Sequence, residues 1–134
     1  MVKDLKKILF VDDDQDIHFI VKICLQEIPN VEIRGATSGE EAIKTAMEFN
    51  PDLILLDVMM PKMDGLATLK TLRLMPSFAE TPVVFITAKA QKNEVDEYFK
   101  QGVVDVIVKP FDPIKLAQDV QNIWSRYQEK KHPL

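Results

Sequence analysis

Short apolar runs that end on acid or hydroxyl alternate along this chain with longer stretches of helical periodicity. Lys6-Lys7 leads into Ile8-Leu9-Phe10-Val11, which stops at Asp12-Asp13-Asp14. Four consecutive apolar residues without polar alternation predict a strand buried on both faces. From Asp14 to about Glu27 the pattern is helical, until Pro29-Asn30 breaks it. Val31-Glu32-Ile33-Arg34 alternates as a strand, and Ser38-Gly39-Glu40-Glu41 reads as a capping box opening a helix that ends at Asn50-Pro51. Leu53-Ile54-Leu55-Leu56 then ends in Asp57, and a helix carrying Leu66, Leu69 and Leu72 ends before Pro76. Val83-Val84-Phe85-Ile86 ends in Thr87, and a helix from about Gln91 to Gln101 is stopped by Gly102. Val103 to Val108 ends in Lys109, and Asp112-Pro113 supplies an N-cap and a first-turn proline for a last helix reaching about Tyr127.

Five strands alternating with five helices predict right-handed crossovers and a doubly wound α/β sandwich, (βα)5, around a five-stranded parallel sheet. Ligands of such sheets bind beyond the carboxyl ends of the strands. Asp12-Asp13, Asp57, Thr87 and Lys109 stand at or just past the ends of four different strands, so they are expected to converge in space. No linker precedes the polar stretch after Tyr127. The expected organisation is one domain over residues 1–128 and a polar C-terminal tail over 129–134.

Composition narrows the classes. A chain of 134 residues with 46% apolar and 28% charged residues suits a single globular domain. A net charge of -4 gives no general attraction to nucleic acid or to an anionic membrane. The single Cys24 excludes an internal disulfide, and its place among Ile17, Val21, Leu25 and Ile28 makes it a core packer rather than a nucleophile. No apolar run approaches the ~20 residues of a membrane span. Met1 to Lys7 lacks an apolar signal segment, so the expected location is cytoplasmic.

Carboxylates crowded at one sheet edge repel one another unless a positive charge sits between them. Only hard oxygen ligands are on offer, with His18 on a helix and His132 in the tail, so magnesium is favoured over zinc. A lysine ammonium and a threonine hydroxyl suit two phosphoryl oxygens. Acid cluster, hydroxyl and lysine together suit attack of a carboxylate on phosphorus, giving an aspartyl phosphate. Spacing alone does not choose Asp57 over Asp12 as the nucleophile. Each residue alone has a bland explanation: helix N-terminal acids, a turn aspartate, a capping threonine, a surface lysine. Their joint placement at four strand ends does not.

The segments Ile8 to Asp14, Leu55 to Gly65, Val83 to Ala88 and Val108-Lys109-Pro110-Phe111 resemble receiver domains of bacterial two-component response regulators, a likeness spanning about Lys6 to Tyr127. The resemblance implies a flavodoxin-like fold with Asp57 as phosphoacceptor. It implies that Asp13, Asp57 and the Met59 backbone carbonyl ligate magnesium, with Asp12 holding the metal, often through water. Thr87 and Lys109 would each bind a phosphoryl oxygen, and the Lys109-Pro110 peptide would be cis. Such a domain is a phosphoacceptor that assists its own phosphorylation and dephosphorylation rather than an enzyme in the usual sense. Its donor would be a sensor histidine kinase or a histidine phosphotransfer protein, and its target a downstream output protein or domain. The output face would be the fourth helix, fifth strand and fifth helix, with Tyr98, Asp105, Lys115 and Gln118 as exposed candidates. Gly65 is expected at a turn or close approach near the phosphoacceptor loop.

The chain departs from the family pattern in two respects. Val106 stands three residues before Lys109, where many receivers carry an aromatic switch residue, so signalling is expected to run through Thr87 and the loop Ala88 to Gln91. Met59 and Lys89 stand where polar or acidic groups often influence the attacking water, and a thioether can neither orient water strongly nor accept a proton. Slow self-dephosphorylation is expected.

A haloacid-dehalogenase-type phosphatase is the enzymatic alternative, with Asp12 as nucleophile and Asp14 as general acid. It leaves Asp57 without a task and lacks a further acidic pair beyond the lysine. A nucleotide- or flavin-binding domain is weaker, because no glycine-rich loop follows the first strand. An unphosphorylated scaffold of the same fold is disfavoured by the complete set of polar positions.

Overall fold

In a computed structural model that describes residues 3–131, the apolar runs form the strands of one parallel sheet. The strands are β1 (Lys7–Val11), β2 (Glu32–Ala36), β3 (Leu53–Leu56), β4 (Val83–Thr87) and β5 (Asp105–Val108), in the order β2-β1-β3-β4-β5. Between them run α1 (Gln15–Leu25), α2 (Gly39–Phe49), α3 (Gly65–Arg73) and α4 (Lys92–Lys100), and α5 (Leu116–Lys131) follows β5. A short 3₁₀ turn, Pro76–Phe78, precedes β4.

The three central strands, β1, β3 and β4, are apolar on both faces because the sheet separates two cores. Leu9, Val11, Ile54, Leu56 and Phe85 pack with Ala42, Ala46, Leu69, Leu72 and Tyr98 from α2, α3 and α4. Their neighbours Ile8, Phe10, Leu53, Leu55 and Ile86 pack with Val21, Leu25, Leu116, Val120 and Trp124 from α1 and α5. The period of two is present, but both of its phases are buried. Cys24 lies half-buried against the second core, as its spacing predicted.

Local chemistry sets the helix ends. Asp14, Ser38 and Asp64 accept from the amides of Asp16, Glu41 and Ala67, satisfying first-turn donors of α1, α2 and α3. At α2 the return half of the expected capping box is absent, because Glu41 instead accepts from the Thr37 hydroxyl at 3.2 Å. The full reciprocal box occurs at α4, between Gln91 and Glu94. Asn50 closes α2 in the left-handed region at φ 54.

Several boundaries differ from the sequence reading. Val31 is held in a turn by Ile28, so β2 begins at Glu32 and runs on to Ala36, beside Val11. Val103 donates to Tyr98 at the end of α4, and β5 starts only at Asp105. Asp112 caps a turn through the Ile114 amide at 2.9 Å, and α5 begins at Leu116 rather than at Pro113. The same helix continues to Lys131, four residues past Tyr127. Buried Gln128 accepts from the Lys3 amide at 3.1 Å and Trp124 Nε1 donates to the Lys3 carbonyl at 2.7 Å, which docks these last turns. His132 lies outside the described residues.

At the amino ends of the strands, Asp52 Oδ2 accepts from the amides of Lys6 and Lys7, both at 3.0 Å, and Oδ1 from Lys3 Nζ at 3.1 Å. Asp52→Ala is expected to cost roughly 2 kcal/mol, the scale of hydrogen bonds to a charged acceptor. Urea unfolding would register it as a lower midpoint with an unchanged slope.

Candidate functional site

The sheet register delivers the acids to one place. Val11 pairs with Leu56, so the chain leaves both strands side by side at the point where strand order reverses, and Asp57 N donates to Val11 O at 2.9 Å. Thr87 pairs with Val108 on the next two strands, and Lys109 N donates to Thr87 O at 2.9 Å. Carboxylate oxygens of Asp12, Asp13 and Asp57 lie within 4.8 Å of one another. Asp12 is 1% exposed and Asp57 5%, whereas Asp13 is open to solvent.

Lys109 answers this charge. Its ammonium bridges the buried pair, contacting Asp12 Oδ2 and lying 3.1 Å from Asp57 Oδ2. The Lys109-Pro110 peptide is cis. Asp12 Oδ1 accepts from the Asp14 amide at 2.9 Å, and Asp57 Oδ1 from the Met59 amide at 3.2 Å. Thr87 is fully buried, and its Oγ1 accepts from the Lys89 amide at 3.1 Å. The five sequence-predicted residues Asp12, Asp13, Asp57, Thr87 and Lys109 therefore sit around one strand-end site, with Met59 beside Asp57. Asp14, by contrast, turns its carboxylate to the Asp16 amide at 2.9 Å and caps α1.

Burial pushes the Asp57 carboxyl above the ordinary range; Lys109 pulls against the rise, Asp12 adds to it, and the Met59 amide opposes it. For Lys109, burial works against the ammonium, but the hydrogen bond and charge of Asp12, followed by those of Asp57, outweigh it and raise the pKa. The lysine stays charged, and Asp57 carries its charge at a cost. Three carboxylates that offer oxygen ligands only, two of them held by a single ammonium, fit a hard divalent cation such as magnesium.

Three supporting residues carried weaker signals. His18 Nε2 lies 2.6 Å from the Asp12 backbone oxygen, its ring edge-on to Phe10, and a Cβ at Gly35 would stand 2.6 Å from Nδ1. Its place on the first turns of α1 was visible in sequence, but a contact with β2 and with Asp12 was not. Gly65 meets the expectation of close approach, since a Cβ there would lie 2.4 Å from Asp57 O. Tyr98, expected at the surface, is 4% exposed. The phase of α4 turns it with Val95 towards the sheet, and its ring meets Phe85 edge-on.

The family model for the response regulator receiver domain matches residues 8–121. The chain belongs to this family. Among receiver-containing relatives, the transcriptional regulatory protein SrrA of Staphylococcus aureus is 38% identical over 122 residues, covering 91% of this chain and 49% of its own length. The chain thus spans about half the length of the curated relatives it matches. Two solved receivers are similar throughout. The chemotaxis protein CheY4 of Vibrio cholerae has a TM-score of 0.81 at 31% identity, covering 89% of this chain and 98% of its own. The receiver domain of the Francisella response regulator 1452 has a TM-score of 0.79 at 32% identity, covering 90% and 98%. The doubly wound, flavodoxin-like fold is that of these receivers. Among the described residues, no helix is long and apolar enough to cross a membrane.

A carboxyl whose folded pKa lies above its unfolded value supports the fold most when protonated, and that contribution is lost as pH rises from the ordinary carboxylate range through the raised pKa. At neutral pH without divalent metal, Asp57→Asn is therefore expected to raise Tm. Magnesium should raise the Tm of the unaltered protein more than that of the variant. Thermal unfolding with and without magnesium checks both; a lower Tm for Asp57→Asn without metal would contradict the electrostatic account.

Proposed function

We propose that this receiver accepts a phosphoryl group on Asp57 from a histidine of a sensor kinase or a phosphotransfer protein, in a magnesium-dependent reaction, and that the added charge switches a protein-interaction surface. The observation that carries this reading is the Lys109 ammonium bridging the buried carboxylates of Asp12 and Asp57. Such a bridge holds the acids together before reaction and supplies a mobile cation for the product.

An oxygen of the Asp57 carboxylate attacks phosphorus, the phosphorus–nitrogen bond breaks, and the imidazole keeps its electron pair. Lys109 is charged throughout and moves its contact from carboxylate to a phosphoryl oxygen. Thr87 donates its hydroxyl hydrogen to a second oxygen. Asp12, Asp13, Asp57 and the Met59 carbonyl would hold magnesium, whose chemistry is to neutralise charge on the oxygens of the transferring group. Asp12, Asp57 and Thr87 are buried, and contacts to buried groups are worth more than they would be at an open surface.

The phosphorylated residue brings about two negative charges at pH 7. That charge draws on Thr87, whose hydroxyl already organises the loop Ala88 to Gln91 through the Lys89 amide. With Val106 in place of a ring on β5, Thr87 and this loop carry the signal. Lys115 and Gln118 are exposed on the α4-β5-α5 face, and Asp105 there pairs with Arg126 at 3.0 Å. An output protein or domain reads this face, and the cytoplasm is the proposed location.

The phosphatase alternative needs Asp14 as an acid near the nucleophile. Its carboxylate is committed to capping α1, and it lies outside the acid cluster.

Incubation with acetyl phosphate, followed by intact mass measurement, tests the reading. A single phosphate-sized gain that requires both magnesium and Asp57 is the expected result. A gain that survives Asp57→Asn and disappears in Asp12→Asn would favour the phosphatase chemistry instead. Met59 is exposed beside the site and offers no polar group to the attacking water. Met59→Asn is expected to shorten the phosphoryl lifetime severalfold, followed as loss of the added mass after removal of donor; equal decay rates would contradict this role.

A further inference from the structure

Lys89 has both of its backbone polar groups engaged, and the two partners belong to different parts of the molecule. Its amide donates to Thr87 Oγ1 at 3.1 Å, and its carbonyl accepts from the Tyr98 hydroxyl at 2.8 Å. Thr87 ends β4 at the site, whereas Tyr98 lies in the middle of α4. One residue of loop therefore links the site to the helix by two hydrogen bonds.

The phenol is buried and held by a ring contact and a hydrogen bond. Tyr98 is 4% exposed, and its ring stands edge-on to Phe85 at 5.1 Å with an interplanar angle of 86°. Val106 pairs with Phe85 on the neighbouring strand and packs against the same core, so a small side chain on β5 leaves the ring contact on Phe85 to α4. A buried hydroxyl must keep a partner, and among the described residues the Tyr98 hydroxyl bonds to Lys89 O alone. Glu94 reinforces the grip, lying 3.5 Å from the Lys89 ammonium and accepting from the Gln91 amide at 3.1 Å. Exposed Phe99 follows Tyr98 directly, so a shift of the helix alters an apolar part of the surface.

We infer that Tyr98 is the positioning residue that couples Thr87 to α4, taking the aromatic role that β5 leaves vacant at Val106. The inference deepens the phosphoacceptor reading and takes its trigger from it. When Thr87 turns its hydroxyl to a phosphoryl group on Asp57, the Lys89 amide must follow or lose its acceptor. The Lys89 carbonyl then moves against the Tyr98 hydroxyl, and α4 shifts with it. The loop and helix are the element with two arrangements, and the two hydrogen bonds of Lys89 transmit between them.

Amide hydrogen exchange on the whole chain tests the coupling in the wild type, Tyr98→Phe, Thr87→Val and the double variant. Tyr98→Phe keeps the ring and removes only the hydroxyl, so the fold is retained. Without donor, each single variant is expected to speed exchange of amides 88–91 about fivefold, the worth of one net hydrogen bond. The double variant should exceed neither by much, because breaking one bond frees the residue that makes the other. Additive effects in the double variant would overturn the inference. With acetyl phosphate and magnesium, the wild type should change its exchange over 92–100, while Tyr98→Phe gains the same mass with no such change. An equal change in both proteins would overturn the inference as well. If the wild type gains no phosphate, the phosphoacceptor reading fails, and the double-variant comparison still decides the role of Tyr98.

Discussion

Two carboxylates with almost no solvent contact, Asp12 and Asp57, sit at the ends of neighbouring strands with one ammonium between them. Burial of such a pair without a cation would leave the charges uncompensated, a cost of several kcal/mol for each ion in general. Most of the surrounding structure can be understood as managing that cost. Lys109 supplies the charge, the Asp14 and Met59 amides donate to one oxygen of each acid, and His18 holds the Asp12 main chain from α1. The remaining imbalance, visible in the raised Asp57 pKa, is what a divalent cation would relieve.

The arrangement depends on a parallel sheet with its two apolar faces covered. Parallel neighbours end on the same side, so residues distant in sequence are brought together by register alone. Asp12 is joined to Asp57 through the pairing of Val11 with Leu56, and Thr87 to Lys109 through the pairing of β4 with β5. The cores on either side keep those strand ends in place, and the close approach of Gly65 to Asp57 O keeps the first turn of α3 against the site. The end of β4 is tied to the loop that follows it, where the Lys89 amide donates to Thr87 Oγ1.

Where sequence reasoning fell short, the reason was a contact between elements or a local turn that displaced a boundary. Tyr98 follows a helical pattern that fits more than one rotation of α4, and only packing against Phe85 chose the buried one. The last helix outlasts its polar composition because Trp124 and Gln128 bind the Lys3 segment, 121 and 125 residues away in sequence. Asp112 has the composition of an N-cap, yet it closes a turn and the helix begins later. His18 reads as one more helical residue until β2 brings Gly35 beneath it.

By itself the sequence determined the order of strands and helices, the parallel α/β class and the five polar residues at the strand ends. It could do so because apolar runs, caps and breaks are local properties, and because a βα alternation admits few topologies. Tertiary structure decided which charges share a buried site and which merely cap a helix: Asp12 and Asp14 are two residues apart, yet one faces Lys109 and the other the Asp16 amide of α1. It also decided that the Tyr98 ring of α4 stands beside the loop after Thr87. Those outcomes depend on burial and on distances across the chain, which hydrogen bonding and packing set only when all five strands are in register.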